Sequence, residues 1–134
     1  MDCEIVCHRD YSIDWFANQL ESAVGLKVKH RYIGVDKVLF SSPEILLHDY
    51  RQQLSRQNEE NNSDWLEFRR QHPNCKLNYE DLARMNFETN YITTLGKILA
   101  SLTGYDELWF LIGTRYVGGD ELVKLIDSGN WLIP

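Results

Sequence analysis

The sequence is poor in the features that usually announce a function. Its cysteines are Cys3, Cys7 and Cys75, too few and too odd a set for a disulfide framework. No apolar run approaches the roughly 20 residues of a membrane-spanning helix. The opening MDCEIVCHRD is charged and lacks an apolar h-region, so no signal peptide is expected, and a reducing cytoplasm is the simplest compartment. Positive charge is scarce. Lys and Arg number 14 against 20 Asp and Glu, for a formal charge of −6. The acidity is spread along the chain, and no basic block stands ready to neutralise phosphates, which disfavours a nucleic-acid role. A surface of this sign repels nucleic acid and anionic membranes and attracts basic proteins.

Catalytic and ligand motifs are missing too. There is no G-x-S-x-G nucleophile turn. Gly113–Gly119, GTRYVGG, fits neither G-x-G-x-x-G nor G-x-x-x-x-G-K-[ST]. Asp120 and Glu121 at the helix start that follows would repel a phosphate, so a glycine-permitted turn or hairpin is expected there. Cys3, Cys7 and His8 with His72 and Cys75 make the one metal-like group. A strand would hold Cys3 and Cys7 about 13 Å apart, too far for one ion. Small buried hydrophobes describe both cysteines better. Neither a metal nor a cofactor is expected.

What is present suits one domain spanning residues 1–134, with 43% hydrophobic residues to build a core. Residues 3–8 alternate as a strand, with Cys3, Ile5 and Cys7 on one face. Asp10 and Ser12 can cap a helix carrying Ile13, Phe16, Ala17, Leu20, Ala23 and Val24, which Gly25 stops. Residues 26–33 alternate again, with Lys27, Lys29 and Arg31 on a solvated face that also protects an edge strand. Val38-Leu39-Phe40 is its hairpin partner. Ser42-Pro43-Glu44 has the form of a helix start, with Leu47, Tyr50 and Leu54 as the apolar line. A short helix over 64–71 with Ser63 as its cap follows. A longer helix then runs from Asn78-Tyr79-Glu80-Asp81 to Gly104 through Leu82, Met85, Ile92, Leu95 and Leu99, with a break near Asn86. Residues 107–113, ELWFLIG, form a central strand apolar on both faces. Tyr116-Val117 extends or pairs with it, a last helix covers 121–127, and the tail Trp131-Leu132-Ile133 packs back. The fold class is therefore α+β: a small mixed or antiparallel sheet of four to five strands packed against about four to five helices.

The most distinctive stretch is residues 51–64, RQQLSRQNEENNSD, where Leu54 is the only apolar side chain. Trp65-Leu66-Glu67-Phe68 follows at once. Because elements on both sides are needed for one core, this run is an excursion from a single domain rather than a linker. Glu59, Glu60, Asp64 and Glu67 surround Trp65, and together these five residues are the candidate partner-binding set. Exposed, Trp65 would be an interface anchor ringed by rim charges. The competing reading buries Trp65 or Phe68 in the core and leaves a solvated loop before it.

Small, acidic, single-domain α+β chains without a catalytic set resemble the immunity proteins of bacterial contact-dependent and polymorphic toxin systems. The resemblance spans the whole chain through size, charge and element order. It implies a cytoplasmic, non-enzymatic protein whose partner is a cognate toxin domain, plausibly a nuclease with a basic groove. Two other readings stay open. One is a small enzyme or ligand-binding domain with a pocket beside the 107–113 strand, built from Trp109, Tyr116, His30 and Tyr32. The other is a subunit that docks on a larger assembly through Trp131-Leu132-Ile133.

Overall fold

A computed structural model of the chain describes residues 2–25, 28–34, 37–41, 44–49, 58–90 and 92–131. Among these residues seven strands form one antiparallel sheet: β1 (Asp2–His8), β2 (Val28–Gly34), β3 (Lys37–Ser41), β4 (Glu44–Asp49), β5 (Leu82–Thr89), β6 (Leu108–Ile112) and β7 (Arg115–Val117), in the order β2-β3-β4-β5-β1-β6-β7. Among the described residues four α-helices accompany it: α1 (Ile13–Val24), α2 (Ser63–Gln71), α3 (Ile92–Leu102) and α4 (Gly119–Ser128). The α+β class expected from the sequence holds. The strand count is higher than expected because two segments that read as helical are strands, β4 and β5.

The first strand shows why the sheet is arranged this way. β1 pairs with β5 on one side and β6 on the other, so it lies inside the sheet with both faces covered. Cys3, Ile5 and Cys7 point into a large core shared with α1, α3 and α4, while Val6 points into a smaller core on the opposite face. In β5 the strict alternation sends Ala83, Met85, Phe87 and Thr89 to the large-core side and leaves Arg84, Asn86 and Glu88 on the other. Ile45 and Leu47 from β4 join the large core with no exposed surface. Each fully buried Phe, Leu or Ile of this layer contributes about 1.5–3 kcal/mol of transfer free energy.

The helix ends follow the local chemistry. Ser12 Oγ accepts a hydrogen bond from the Trp15 N–H at 3.1 Å, and Gly25 closes α1 in the left-handed conformation at φ 73°. The cap of α2 is one residue earlier than the sequence indicated: Asn62, not Ser63, accepts from the Trp65 N–H at 3.1 Å. Trp131 packs against the large core, so this part of the tail returns to its own domain. Leu132 and Ile133 lie outside the described residues, as do Tyr50, Leu54 and the rest of 50–57.

Candidate functional site

Helix α2 covers one end of the sheet face that α1, α3 and α4 leave free. Trp65 and Phe68, four and zero per cent exposed, meet Val6, Leu77, Leu82 and Tyr116 beneath the helix. Trp65 therefore belongs to the core. The reading of an exposed tryptophan anchor gives way to the competing one, for a simple reason: at i and i+3 Trp65 and Phe68 share a helix face, and that face is the one turned to the sheet. The indole still fixes one of the carboxylates near it. Trp65 Nε1 donates to Glu59 Oε1 at 3.1 Å. Arg69 lies 4.9 Å from the ring centroid and ties the following loop down, donating to the carbonyls of Cys75 at 2.6 Å and of Leu77.

The far end of α2 closes the sheet edge. Gln71 uses its side-chain amide as a strand would use its backbone. Its Oε1 accepts from the Tyr116 N–H at 2.8 Å and its Nε2 donates to the Thr114 carbonyl at 2.8 Å. His72 Nε2 lies 2.6 Å from the Tyr116 carbonyl. Because a carbonyl only accepts, that ring nitrogen carries the proton. The His72 ring stacks at 4.1 Å on Trp109. The free edge of β7 is thus occupied by side chains instead of being left open to another strand.

Beyond α2 the same face carries a half-buried polar cluster. Arg84 bridges two carboxylates, hydrogen-bonding Glu4 and approaching Asp64 at 3.2 Å. Burial works against the Arg84 charge, but Glu4 and Asp64 outweigh it and hold the guanidinium above its ordinary pKa. Asn86 Nδ2 donates to Asp2 at 3.1 Å, and His48 Nε2 lies 3.4 Å from Glu88. Register explains the grouping, since Glu4 and His48 both face Asn86, and Asp2 and Leu46 both face Glu88. Four carboxylates (Asp2, Glu4, Asp64 and Glu88) thus gather around one arginine and one histidine. The network is not saturated: among the described residues Arg84 Nε and Asn86 Oδ1 are buried without a hydrogen-bond partner, and a buried polar atom left unpaired calls for an explanation.

Between α2 and this cluster lies a narrow crevice. Val6, Leu82, Trp65 and Phe68 form its walls, and Asp64, Arg84 and Tyr116 supply its polar groups. The Tyr116 hydroxyl is pushed up to about 12, first by burial and then by the negative charges of Glu4 and Asp64, with Arg84 acting in the opposite direction. It stays protonated at neutral pH and can both donate and accept.

The five sequence-predicted site residues do not form one surface. Asp64 is 57% exposed on its side chain and joins the polar cluster through Arg84. Glu59 is exposed and bound to the indole of Trp65, and Glu60 is exposed beside it. Glu67 turns to the outer side of α2, where Arg70 and Gln71 donate to it at 2.5–3.0 Å and hold its carboxyl down at about 2. Trp65 is inside. Sequence reasoning missed Asp2, Glu4, His48, Arg84, Asn86 and Glu88. The alternation of L-A-R-M-N-F-E-T was the available signal.

No family model, curated protein or solved structure matches the chain.

Other candidates resolve locally. The pocket proposed from Trp109, Tyr116, His30 and Tyr32 is not assembled. His30 and Tyr32 sit on β2, at the opposite edge of the sheet from β6 and β7, and five strand spacings, about 24 Å, separate β2 from β6. Gly113, at φ 65°, makes the turn between β6 and β7, so GTRYVGG is the expected hairpin leading to α4. Cys3 and Cys7 are buried in the large core, and burial, with Asp2 and Glu4 nearby, pushes the Cys3 thiol up to about 12. Among the described residues no group of three or more His, Cys, Asp or Glu is placed to hold a metal ion, and no helix is long and apolar enough to cross a membrane. Lys27 and the side chains of Lys29 and Arg31 lie outside the described residues.

Proposed function

We propose that this chain is an immunity-type protein that binds a basic toxin domain, such as a nuclease, in the cytoplasm and neutralises it by covering its surface rather than by catalysis. The observation that carries this reading is the polar cluster beside α2, where four carboxylates outnumber one arginine on a half-buried sheet face. Carboxylates held in place by partners on the protein lose little side-chain entropy when a cation arrives, and the surrounding surplus of negative charge speeds encounter with a basic surface. Glu59 and Glu60, exposed in the turn just before α2, extend the same sign around the corner. Trp65 serves this surface from beneath, by fixing Glu59 and the helix that carries Asp64.

The test is co-purification with the product encoded immediately upstream, followed by affinity measurement of Glu60→Lys/Glu88→Lys. Neither residue belongs to the core, so the fold is retained. The expected result is a complex whose association rate falls steeply with salt, with binding weakened about tenfold or more in the double variant. A complex that forms with unchanged affinity in the variant, at every ionic strength, would place the interface elsewhere. If no basic protein is captured at all, the immunity reading fails.

A further inference from the structure

Where β1 leads into α1, on the side of the sheet that carries the large core, three aromatic rings meet near the surface. Trp15 packs edge-to-face with Tyr11 at 4.6 Å and with Tyr105 at 4.9 Å. Tyr11 and Trp15 are partly buried against the large core, but Tyr105 belongs to neither core and is 38% exposed. Both phenols are tied down. Tyr11 Oη donates to the Asp106 carbonyl at 2.8 Å, and Tyr105 Oη donates to Gln19 Oε1 at 2.7 Å. Asp14, Asp106 and Glu107 stand beside these rings in the chain, all exposed. Among the described residues no basic side chain pairs with the carboxylate of Asp106 or Glu107. Their charge is felt at Tyr11, whose hydroxyl is pushed above its ordinary value first by burial and then by Asp106, with Cys7, Glu107 and Tyr105 adding to it. Glu107 carries a further mark. Its φ of 60° is the only positive one among the described non-glycine residues. Glycine would take that turn without strain, so a carboxylate is held there against the preference of the backbone.

We propose that this aromatic and acidic surface, formed by Tyr11, Trp15, Tyr105, Asp106 and Glu107, docks an arginine-bearing segment of a protein partner, with guanidinium groups against the Trp15 and Tyr105 rings and paired with the two carboxylates. It is a second contact surface, separate from the polar cluster, and it does not rest on the immunity reading. Three properties match that occupant. Tryptophan and tyrosine are the side chains that carry most binding energy at interfaces, and here they stand where a partner can reach them. The rim is of one sign, so the complement is a cation. The surface is also built in advance: the rings hold one another and both hydroxyls are bonded, so little side-chain entropy is lost on docking. Arginine fits better than lysine, because its planar and weakly hydrated head stacks on aromatic rings and pairs with carboxylates through two parallel hydrogen bonds. An acidic segment would be repelled by Asp106 and Glu107. An apolar one would cover those carboxylates without pairing them, which costs more than it returns.

The experiment needs no cognate partner. The full chain, labelled with ¹⁵N, is titrated at physiological ionic strength with a capped tri-arginine peptide, and with capped tri-lysine and tri-glutamine as controls. The expected outcome is saturable shifts at the Trp15 indole and the Tyr105 and Glu107 amides with tri-arginine, weaker binding of tri-lysine, and no shift with tri-glutamine. Tyr105→Ser weakens tri-arginine binding about threefold, as loss of one exposed cation–π contact does. Asp106→Asn/Glu107→Gln weakens it about fivefold, as loss of two exposed ion pairs does. That variant keeps the hydrogen bond from Tyr11, which goes to the Asp106 backbone. Glu107→Gly separates binding from folding: it relieves the backbone, so resistance to urea is kept or raised while binding falls. The proposal is overturned if tri-glutamine shifts the same signals equally, if tri-lysine binds as tightly as tri-arginine, if no shift saturates, or if the variants bind like the parent. Glu60→Lys/Glu88→Lys, at the polar-cluster surface, is expected to leave these shifts unchanged, and their loss in that variant would overturn the proposal as well. Failure of the peptides while a basic protein is still captured removes this surface alone. Saturable tri-arginine binding with no protein captured leaves this surface standing and removes the immunity reading.

Discussion

Trp65 and Glu67 are two residues apart and have opposite fates, which shows how little a side chain's type says about its role. The tryptophan, the best interface residue in the sequence, is spent on the core, and its indole nitrogen holds Glu59 at the surface. Glu67 is bound to Arg70 and Gln71 on the outer side of the same helix. This pairing lowers its carboxyl from the ordinary 4.5 to about 2. The folded chain therefore binds its proton later than the unfolded one does. The stabilisation from Glu67 is present above about pH 4.5 and is lost as pH falls through 2. The pair is exposed and its effect on stability is small, so the shift itself is the useful quantity. Titration of the side-chain carboxyl by ¹³C NMR is expected to give a midpoint near 2 in the parent chain and one much closer to the ordinary value in Arg70→Ala. A Glu67 midpoint that Arg70→Ala leaves in place would mean that Arg70 is not the cause.

At the scale of elements, legibility depended on whether two signals competed. β1, α1 and the β2–β3 hairpin were readable because alternation and caps pointed the same way: Ser12 before Ile13, Gly25 after Val24. β4 and β5 were misread because each also satisfies a helical template. Glu44 stands after Ser-Pro, the usual opening of a helix. In β5, Leu82 and Met85 are spaced i, i+3 and lead, past a break near Asn86, into the true helical stripe of α3. Pairing decided both cases, since β5 is bonded along its whole length to β1 and joined to β4 on its other side, and such non-local bonds leave no trace in a local window. The polar cluster was illegible for the same reason: Glu4 and Arg84 are 80 residues apart. Gln71 is the clearest case of an element completed by a distant side chain. Its amide both accepts from and donates to the edge of β7. Gln71→Ala is expected to cost about 1–2 kcal/mol in urea unfolding by leaving the Tyr116 N–H unpaired, and to speed hydrogen exchange of that amide. Gln71→Glu keeps the acceptor and should restore protection of the Tyr116 amide, without restoring the bond to the Thr114 carbonyl. If Gln71→Ala leaves that amide as protected as before, the edge is closed by something else.

At the scale of the whole molecule, the described residues build two cores of unequal size on opposite faces of one sheet, and the question this raises is whether they melt together. The smaller core, under α2, is built on only six buried residues, Val6, Trp65, Phe68, Leu77, Leu82 and Tyr116, and by itself would be marginal. Its attachment to the rest runs through β1. That strand gives Cys3, Ile5 and Cys7 to the large core and Val6 to the small one, and it is hydrogen-bonded to neighbours on both sides. Loosening β1 therefore splits the sheet between β5 and β6 and uncovers both faces at once, so the small core has no unfolding route of its own through the strand. The prediction is a single cooperative transition. With 5-fluorotryptophan in place of tryptophan, ¹⁹F NMR reports Trp15, packed on the large core, separately from Trp65 in the small one. Their urea midpoints are expected to coincide, as two-state unfolding requires. Val6→Ala removes two buried methyl groups from the small core and is expected to cost about 2 kcal/mol. Its effect should appear at Trp15 as fully as at Trp65, because the cost is carried by the shared strand. A Trp65 transition that moves to lower urea while Trp15 stays in place would show instead that α2 is a separately unfolding flap, and Asp64, which it carries, would then be ordered only while that flap is closed.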